Sequence, residues 1–390
     1  MQSITVRNNA IEGIKKGCPW LFSNALLPLE KPIENGALVT IKSADHKPLA
    51  IGYYNSRTKL ACRILSTDTS IAIDESFFIE RFNKALQYRN KLFSKPYYRL
   101  IHAEGDRLPG LIIDRYDSVL VCQTTTLGME ALKDYWLKAL IQVLNPRTII
   151  FKDDTAVRQT EGLETHITLA YGEAIDDINI LENDQIFSIN PMDGQKTGWF
   201  FDQRANRAWA KQQAHNKSVL DLYTYCGGFG IQALSGGARS VTFVDRSADA
   251  INHIEKSLQH FPNQQHACIK ANAYSFLEEA IEEGQHFDLV IADPPAFIKS
   301  KTDKGSGLRG YQKLARLCAQ VVSKKGILLI ASCSHHASLS EFKKEVLAGI
   351  QKSGRTAQQI YQGEADKDHP VHPQLKQTRY LKALGFEFLQ

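Results

Sequence analysis

No run of apolar residues approaches the roughly 18 that a membrane helix needs. The opening stretch MQSITVRNNAIEGIKKG has no apolar core of signal-peptide type. A cytoplasmic protein with no membrane partner is therefore expected. Seven cysteines stand at Cys18, Cys62, Cys122, Cys226, Cys268, Cys318 and Cys333, but no two form a CxxC pair. The odd count and the missing pairs argue against a disulfide framework and a zinc knuckle, so reduced thiols and no metal are expected. Short repeats and low-complexity tracts are lacking too. So is a strong charge imbalance: 47 basic and 42 acidic residues leave +5, which is compatible with a nucleic-acid partner without demanding one.

What is there is an ordinary globular composition, 43% hydrophobic and 23% charged over 390 residues, enough for two or three domains at about 150 residues each. Residues 1–72 alternate apolar and polar side chains between turn formers, as in GALVTIKSADHKPLAIGYYNSRTKLACRIL, with turns at Asp45-His46 and Asn55-Ser56. This reads as a small β-barrel. Residues 73–183 read as an α+β unit. GLIIDRYDSVLVCQT is a hairpin turning at Asp117-Ser118, and Leu132, Trp136, Leu140 and Val143 share one helical stripe before the strand TIIFKDD. From 184 to 390 strand-like runs (VLDLY, SVTFVD, HACIKAN, FDLVIAD, GILLIAS) alternate with helix candidates at 228–236, 247–259, 273–283 and 310–323. That rhythm predicts an α/β fold, a parallel Rossmann-like sheet covered by helices, with its chemistry just past the carboxyl ends of the strands.

The first of these strands leads into DLYTYCGGFGIQAL, where Gly227, Gly228 and Gly230 allow a tight turn and close approach to a ligand. Gly228, Gly230 and Ala233 formally fit the dinucleotide fingerprint, a weak signal alone. The second strand ends at Asp245, where an acid can take the two ribose hydroxyls of a nucleoside. The two motifs indicate adenosine and leave NAD and S-adenosylmethionine open. The fourth strand discriminates. It ends in Asp293-Pro294-Pro295, two prolines that stiffen the backbone beside the reactive end of the cofactor. Methyltransferases use such a corner and dehydrogenases have no need of it.

The fifth strand ends at Cys333, in SCSHH. Alone, a cysteine there is most often buried and inert. A metal site with His335 and His336 would need further ligands, and no partner cluster stands out. The cofactor motifs favour a nucleophile. Carbon-5 of a pyrimidine becomes reactive once a thiolate adds at carbon-6, which divides one hard step into two. Cysteine titrates near pH ~8.5, so such a site must favour the thiolate. The stretch 298–316, with six basic residues and one acid, reads either as a solvated loop and helix face or as an RNA contact.

With these motifs in order, the chain resembles the bacterial RlmI-type 23S ribosomal RNA methyltransferases, class I enzymes that make 5-methylcytosine with S-adenosylmethionine. GCPWLFSNAL resembles their amino-terminal PUA domain, an RNA-binding barrel, and HAEGDRLPGLIIDRYDSVLV their central β-β-α-β-β domain. GQKTGWFFDQRANR resembles the segment that closes over the cofactor, and DHPVHPQLKQTRYLKAL the closing stretch. The resemblance implies cofactor-binding roles for Asp221, Tyr223, Gly227, Gly228, Gly230, Asp245, Arg246, Asn272, Ala273 and Asp293. Lys196, Thr197, Phe200, Asp202 and Arg204 of the closing segment would join them. Asn272 stands where the family usually has an acid near the adenine amine; its amide oxygen can still accept a hydrogen bond. Asp293 would also bind the cytosine and Cys333 would be the nucleophile. DPPAF lacks the second cysteine of many related enzymes. Asp293 and His335 are both candidates for the base that removes the C5 proton.

The implied partner is 23S RNA, naked or at an early stage of assembly, because the target base must leave its stack; a homodimer is compatible with this. The competing readings are a guanine N7 or N2 methyltransferase of the same architecture, a non-catalytic RNA-binding assembly protein, and a nicotinamide dehydrogenase.

Overall fold

The stretch LVTIK at Leu38–Lys42 buries every second side chain, as a strand with one covered face must. It belongs to a five-stranded sheet. A computed structural model, in which residues 1–389 are described, divides the chain into two compact units. The first comprises Met1–Asp176, Asn190–Phe201 and Lys367–Thr378; the second comprises Asp177–Ile189, Asp202–Asp366 and Arg379–Gln390.

In the first unit, β1 (Gln2–Thr5), β2 (Trp20–Leu21), β3 (Leu38–Lys42), β4 (Pro48–Tyr54) and β5 (Cys62–Ser66) lie in the order β1-β3-β4-β5-β2, with α1 (Asn8–Lys15) after the first strand. Next come α2 (Glu75–Leu92), β6 (Tyr97–His102), β7 (Leu111–Tyr116), β8 (Val119–Thr124), α3 (Leu127–Ala131), α4 (Lys133–Leu144), β9 (Thr148–Asp153), α5 (Val157–Glu161) and β10 (His166–Gly172). Their sheet runs β10-β9-β8-β7-β6. The hairpin expected at Asp117-Ser118 is present, and Asp117 takes the left-handed φ of 57° that a tight turn requires. Leu132, Trp136 and Leu140 are buried and Val143 packs beside them. Beyond the expected β-β-α-β-β pattern, α2 and β6 are added. The core beneath α2 and α4 also takes in Ile51, Tyr53 and Leu65 from the first sheet. Tyr53 fastens the two sheets through its hydroxyl, 2.9 Å from both the Pro109 carbonyl oxygen and Thr126 Oγ1.

The second unit opens with the hairpin β11 (Ile178–Glu182) and β12 (Gln185–Ile189). The boundary expected at 183/184 falls in its turn, where Asn183 and Asp184 both adopt positive φ. The unit continues with α6 (Arg204–Gln213), β13 (Ser218–Leu222), α7 (Gly228–Ser235), β14 (Ser240–Asp245), α8 (Ala248–Leu258), β15 (Gln265–Lys270), α9 (Ala273–Glu282), β16 (Phe287–Ala292), α10 (Lys304–Val321), β17 (Val322–Ser332), α11 (Leu339–Lys352), β18 (Ala357–Gly363) and β19 (Lys382–Phe388). The sheet order is β15-β14-β13-β16-β17-β19-β18. Leu220, Leu222, Val290 and Ala292 join the core formed with α9, α10 and α11, while the alternate residues face the other side, the two-residue period of a strand covered on both faces. On that other side, Gly230 of α7 lies against the Phe243 ring and Trp209 of α6 against Gly385.

Two features differ from the sequence reading. The sheet is mixed, because β19 pairs antiparallel with both β17 and β18; β18 (AQQIYQG) is mostly polar and gives little strand signal. The helix expected over 310–323 spans Lys304–Val321. Gly305, Gly307 and Gly310 depress its helix propensity, but packing overrides this: a Cβ at Gly307 would fall 2.4 Å from Ile298 Cγ1, so only glycine lets the helix approach that loop.

Candidate active site

The sheet order reverses between β13 and β16: from β13 the chain proceeds outward through β14 and β15, then returns to β16 on the opposite side. A crevice at the carboxyl ends of such strands is where open α/β sheets bind ligands. Every sequence-derived site residue of the second unit except Asp202 and Arg204 lies at these ends.

Asp221 sits within β13, 1% exposed. Its Oδ2 accepts from Thr224 Oγ1 at 2.6 Å and from the Gly230 backbone N–H at 2.8 Å. Its Oδ1 is buried without a partner. Burial pushes this carboxyl up to about 7, opposed by its two donors and reinforced by the nearby charges of Asp293 and Asp245. Three carboxylates from β13, β14 and the end of β16 therefore share one neighbourhood. A buried acceptor left open beside a glycine turn fits a ligand with a cationic or hydrogen-bonding end. Gly227 caps α7 with φ 78°, and a Cβ there would meet Ile231 at 2.9 Å. Gly230 is tighter still, since its Cβ would lie 2.1 Å from the Phe243 ring. Its lack of a side chain brings α7 onto β14 and aims the amides of the first turn at the crevice. Gly228 is buried in that turn.

Asp245 closes β14. Its Oδ2 accepts from the Tyr225 N–H at 3.0 Å and its Oδ1 from the Ser247 N–H at 2.9 Å, which hold the carboxylate half-exposed at the strand end. Arg246 beside it is exposed. Tyr223 carries a positive φ of 59°, and its ring packs against the core formed by α9 and α10. Its hydroxyl is buried without a partner, and burial raises its pKa. Ala273 is buried in the first turn of α9. Asn272 has a role the sequence reading did not give it: its Oδ1 accepts from the Tyr274 N–H at 2.9 Å and caps α9.

Asp293 and Cys333 leave neighbouring parallel strands at the same edge. Ala292 is in register with Ile330, so Asp293 follows the end of β16 directly and Cys333 follows the end of β17. Both are partly exposed. A hydroxyl network missed from the sequence holds this corner. Ser332 Oγ and Ser334 Oγ each lie 2.8 Å from the Tyr311 hydroxyl, and Ser334 Oγ accepts from the Ile298 N–H at 3.2 Å. Cys333 is thus flanked by two anchored serines, and the Asp-Pro-Pro loop is tied to the same anchor. His335 stacks on Tyr380 with ring centroids 5.0 Å apart. The sequence signal was present in the two serines around the cysteine, but their partner lies on α10.

The closing segment divides between the units. Asp202 and Arg204 are buried in the second, where Asp202 Oδ2 accepts from the Tyr380 hydroxyl at 2.5 Å and Arg204 meets Glu182 at 3.5 Å and Asp366 at 3.4 Å. Lys196, Thr197 and Phe200 belong to the first unit. There Thr197 is buried and donates to Asp114, and the Lys196 ammonium lies 4.6 Å from the Phe200 ring centroid. Among the described residues no helix is long and apolar enough to cross a membrane, and no cluster of His, Cys, Asp or Glu could hold a metal.

Comparison with known proteins gives a consistent result. A family model described as PUA-like domain matches residues 4–67, and one described as conserved hypothetical protein 95 matches residues 202–362. The chain is 33% identical over 98% of its length to ribosomal RNA large subunit methyltransferase I of Aliivibrio fischeri, covering 98% of that protein. It is 35% identical to the protein of the same name from Tolumonas auensis, over 94% of each. A solved Streptococcus mutans chain described as a SAM-dependent methyltransferase superposes with a TM-score of 0.84 at 24% identity, over 99% of this chain and 100% of that one. A second, described as a methyltransferase complexed with SAH, gives 0.85 at 22%, over the same shares. These two structural likenesses concern the fold.

Proposed function

The chain belongs to the ribosomal RNA large subunit methyltransferase I family, and from that premise we propose that it methylates carbon-5 of a cytosine in 23S ribosomal RNA, with S-adenosylmethionine as the donor and Cys333 as a covalent nucleophile. The observation that carries the reading is the emergence of Asp293 and Cys333 from adjacent strand ends, beside the crevice where Asp221, the glycine turn and Asp245 converge. Asp221 and the turn suit the methionine end of the donor and Asp245 the ribose hydroxyls. When bound, the donor supplies an electrophilic methyl group.

The protein's own residues do the rest. Asp293 hydrogen-bonds the flipped cytosine and presents its edge to Cys333. The thiolate forms a bond to C6, and the electrons of the C5–C6 double bond move into the ring, making C5 nucleophilic. C5 would take the methyl group as the sulfonium S–CH3 bond breaks, its electron pair staying on the sulfur of the departing S-adenosylhomocysteine, and a base then removes the C5 proton. The electron pair of that C–H bond rebuilds the double bond, and the C6–S pair returns to sulfur. The PUA-like segment suits RNA, and the lysines and arginines of 298–316 suit phosphates. A substrate of this kind fits a cytoplasmic protein and favours free or early-assembly RNA, where flipping the base costs less.

Mass spectrometry of nucleosides from 23S RNA treated with the protein and donor tests this. The wild type should yield 5-methylcytidine, and Cys333→Ala none. A methylated guanosine, or full 5-methylcytidine from Cys333→Ala, would overturn the cysteine mechanism.

A further inference from the structure

Lys382 interrupts an apolar run, Tyr380-Leu381-Lys382-Ala383-Leu384, at the start of β19. It pairs in register with Ser332, the last residue of β17. The residue is only 7% exposed, so its ammonium has left bulk water, a costly placement unless the charge is used or compensated. Its Nζ donates to two backbone carbonyl oxygens, Ser334 at 2.7 Å and Ala337 at 2.8 Å. These two acceptors bracket the turn that follows Cys333 and carries His335 and His336. The anionic groups acting on the ammonium are Cys333 first and then Glu341 of α11, and Glu341 is already engaged by Lys304 at 2.7 Å and by the Ser338 cap. Burial brings Lys382 down to about 8, and the attraction of Cys333 opposes that fall. The Tyr311 hydroxyl of α10, itself pushed up by burial, meets Ser332 and Ser334 beside the same cysteine. Asp293 stands at the neighbouring strand end.

We propose that Lys382 is the positioning residue of the nucleophile: its ammonium pins the 334–337 turn and supplies the buried positive charge against which Cys333 ionises. The arrangement is reciprocal, since each charge favours the other. Tyr311 fixes the cysteine's two serine neighbours, and Lys382 fixes the turn that follows. The inference rests on Cys333 being the nucleophile.

The test is the rate of Cys333 alkylation by iodoacetamide on the full chain, from about pH 6 to about pH 10, read at the Cys333 peptide by mass spectrometry. The wild-type midpoint should lie below the ordinary ~8.5. Lys382→Met keeps the aliphatic stem without the charge or the donors. It should raise the midpoint by about one unit, a tenfold slower reaction near neutrality, with kcat falling in parallel and recovering at high pH. Lys382→Arg keeps a cation and should hold the wild-type midpoint. A wild-type midpoint at or above ~8.5, or an unchanged midpoint in Lys382→Met, overturns the proposal; the first measurement needs no variant, so misfolding leaves the test intact. The two readings fail separately. Alkylation requires no RNA, whereas a Cys333→Ala protein that still makes 5-methylcytidine would remove the nucleophile reading and leave the alkylation result in place.

Discussion

Replacing Asp221 by asparagine should remove a pH-dependent penalty from the fold. The buried carboxyl rises from 3.8 to about 7, through burial first and the repulsion of Asp293 and Asp245 after it. The folded state therefore binds this proton more tightly than the unfolded chain does. The contribution to stability is full below 3.8 and is lost as pH rises through about 7. At about 1.4 kcal/mol per unit, the loss amounts to about 4 kcal/mol. Asparagine cannot ionise, and its Oδ1 can still accept from Thr224 and Gly230. Its own hydrogen-bonding costs do not vary with pH and drop out of the comparison. The stability difference, Asp221→Asn minus wild type, should thus grow by about 4 kcal/mol between about pH 4 and about pH 8. Native-state hydrogen exchange on peptides from β13 and β16 reads it in the second unit alone, whatever the first unit does. A difference that moves by less than about 1 kcal/mol across that range would refute the argument. S-Adenosylmethionine should bind the wild type more tightly as pH passes about 7, and the variant should lose that trend.

Gly230→Ala should push α7 off β14, because its Cβ would lie 2.1 Å from the Phe243 ring. A destabilisation of about 1–3 kcal/mol and weaker S-adenosylmethionine binding by calorimetry are expected; an unchanged affinity would count against the glycine turn as the cradle. Trp136→Ala removes a fully buried ring whose Nε1 donates to the Met129 carbonyl oxygen at 3.1 Å. It should cost about 3–5 kcal/mol, with faster hydrogen exchange confined to first-unit peptides such as those of β8 and β9.

Much of the candidate site's framework was legible because it resides in local backbone demands. Gly227 needs positive φ, Asp245 needs a strand end, and two prolines stiffen the backbone immediately after Asp293, all within a few residues of chain. The hairpin at Asp117-Ser118 and the stripe of Leu132, Trp136 and Leu140 were legible for the same reason: period and turn chemistry are local. The start of α10 was hidden because its glycines serve packing against Phe297 and Ile298, not helix propensity. The capping of α9 by Asn272 was hidden for a related reason: it depends on where the helix starts.

The sequence by itself determined the parallel strands β13 to β17, the order of the motifs and the identity of the candidate nucleophile, since each depends on residue type and short spacing. Only the tertiary structure decided how β19 enters the sheet beside β17, which brings Lys382 to the turn after Cys333 from 49 residues along the chain. It also decided that Tyr311 would clamp Ser332 and Ser334, and that Asp221 would be buried deeply enough to hold its proton near neutrality. These outcomes depend on which distant segments exclude water from a given atom, and burial of that kind has no period in the sequence.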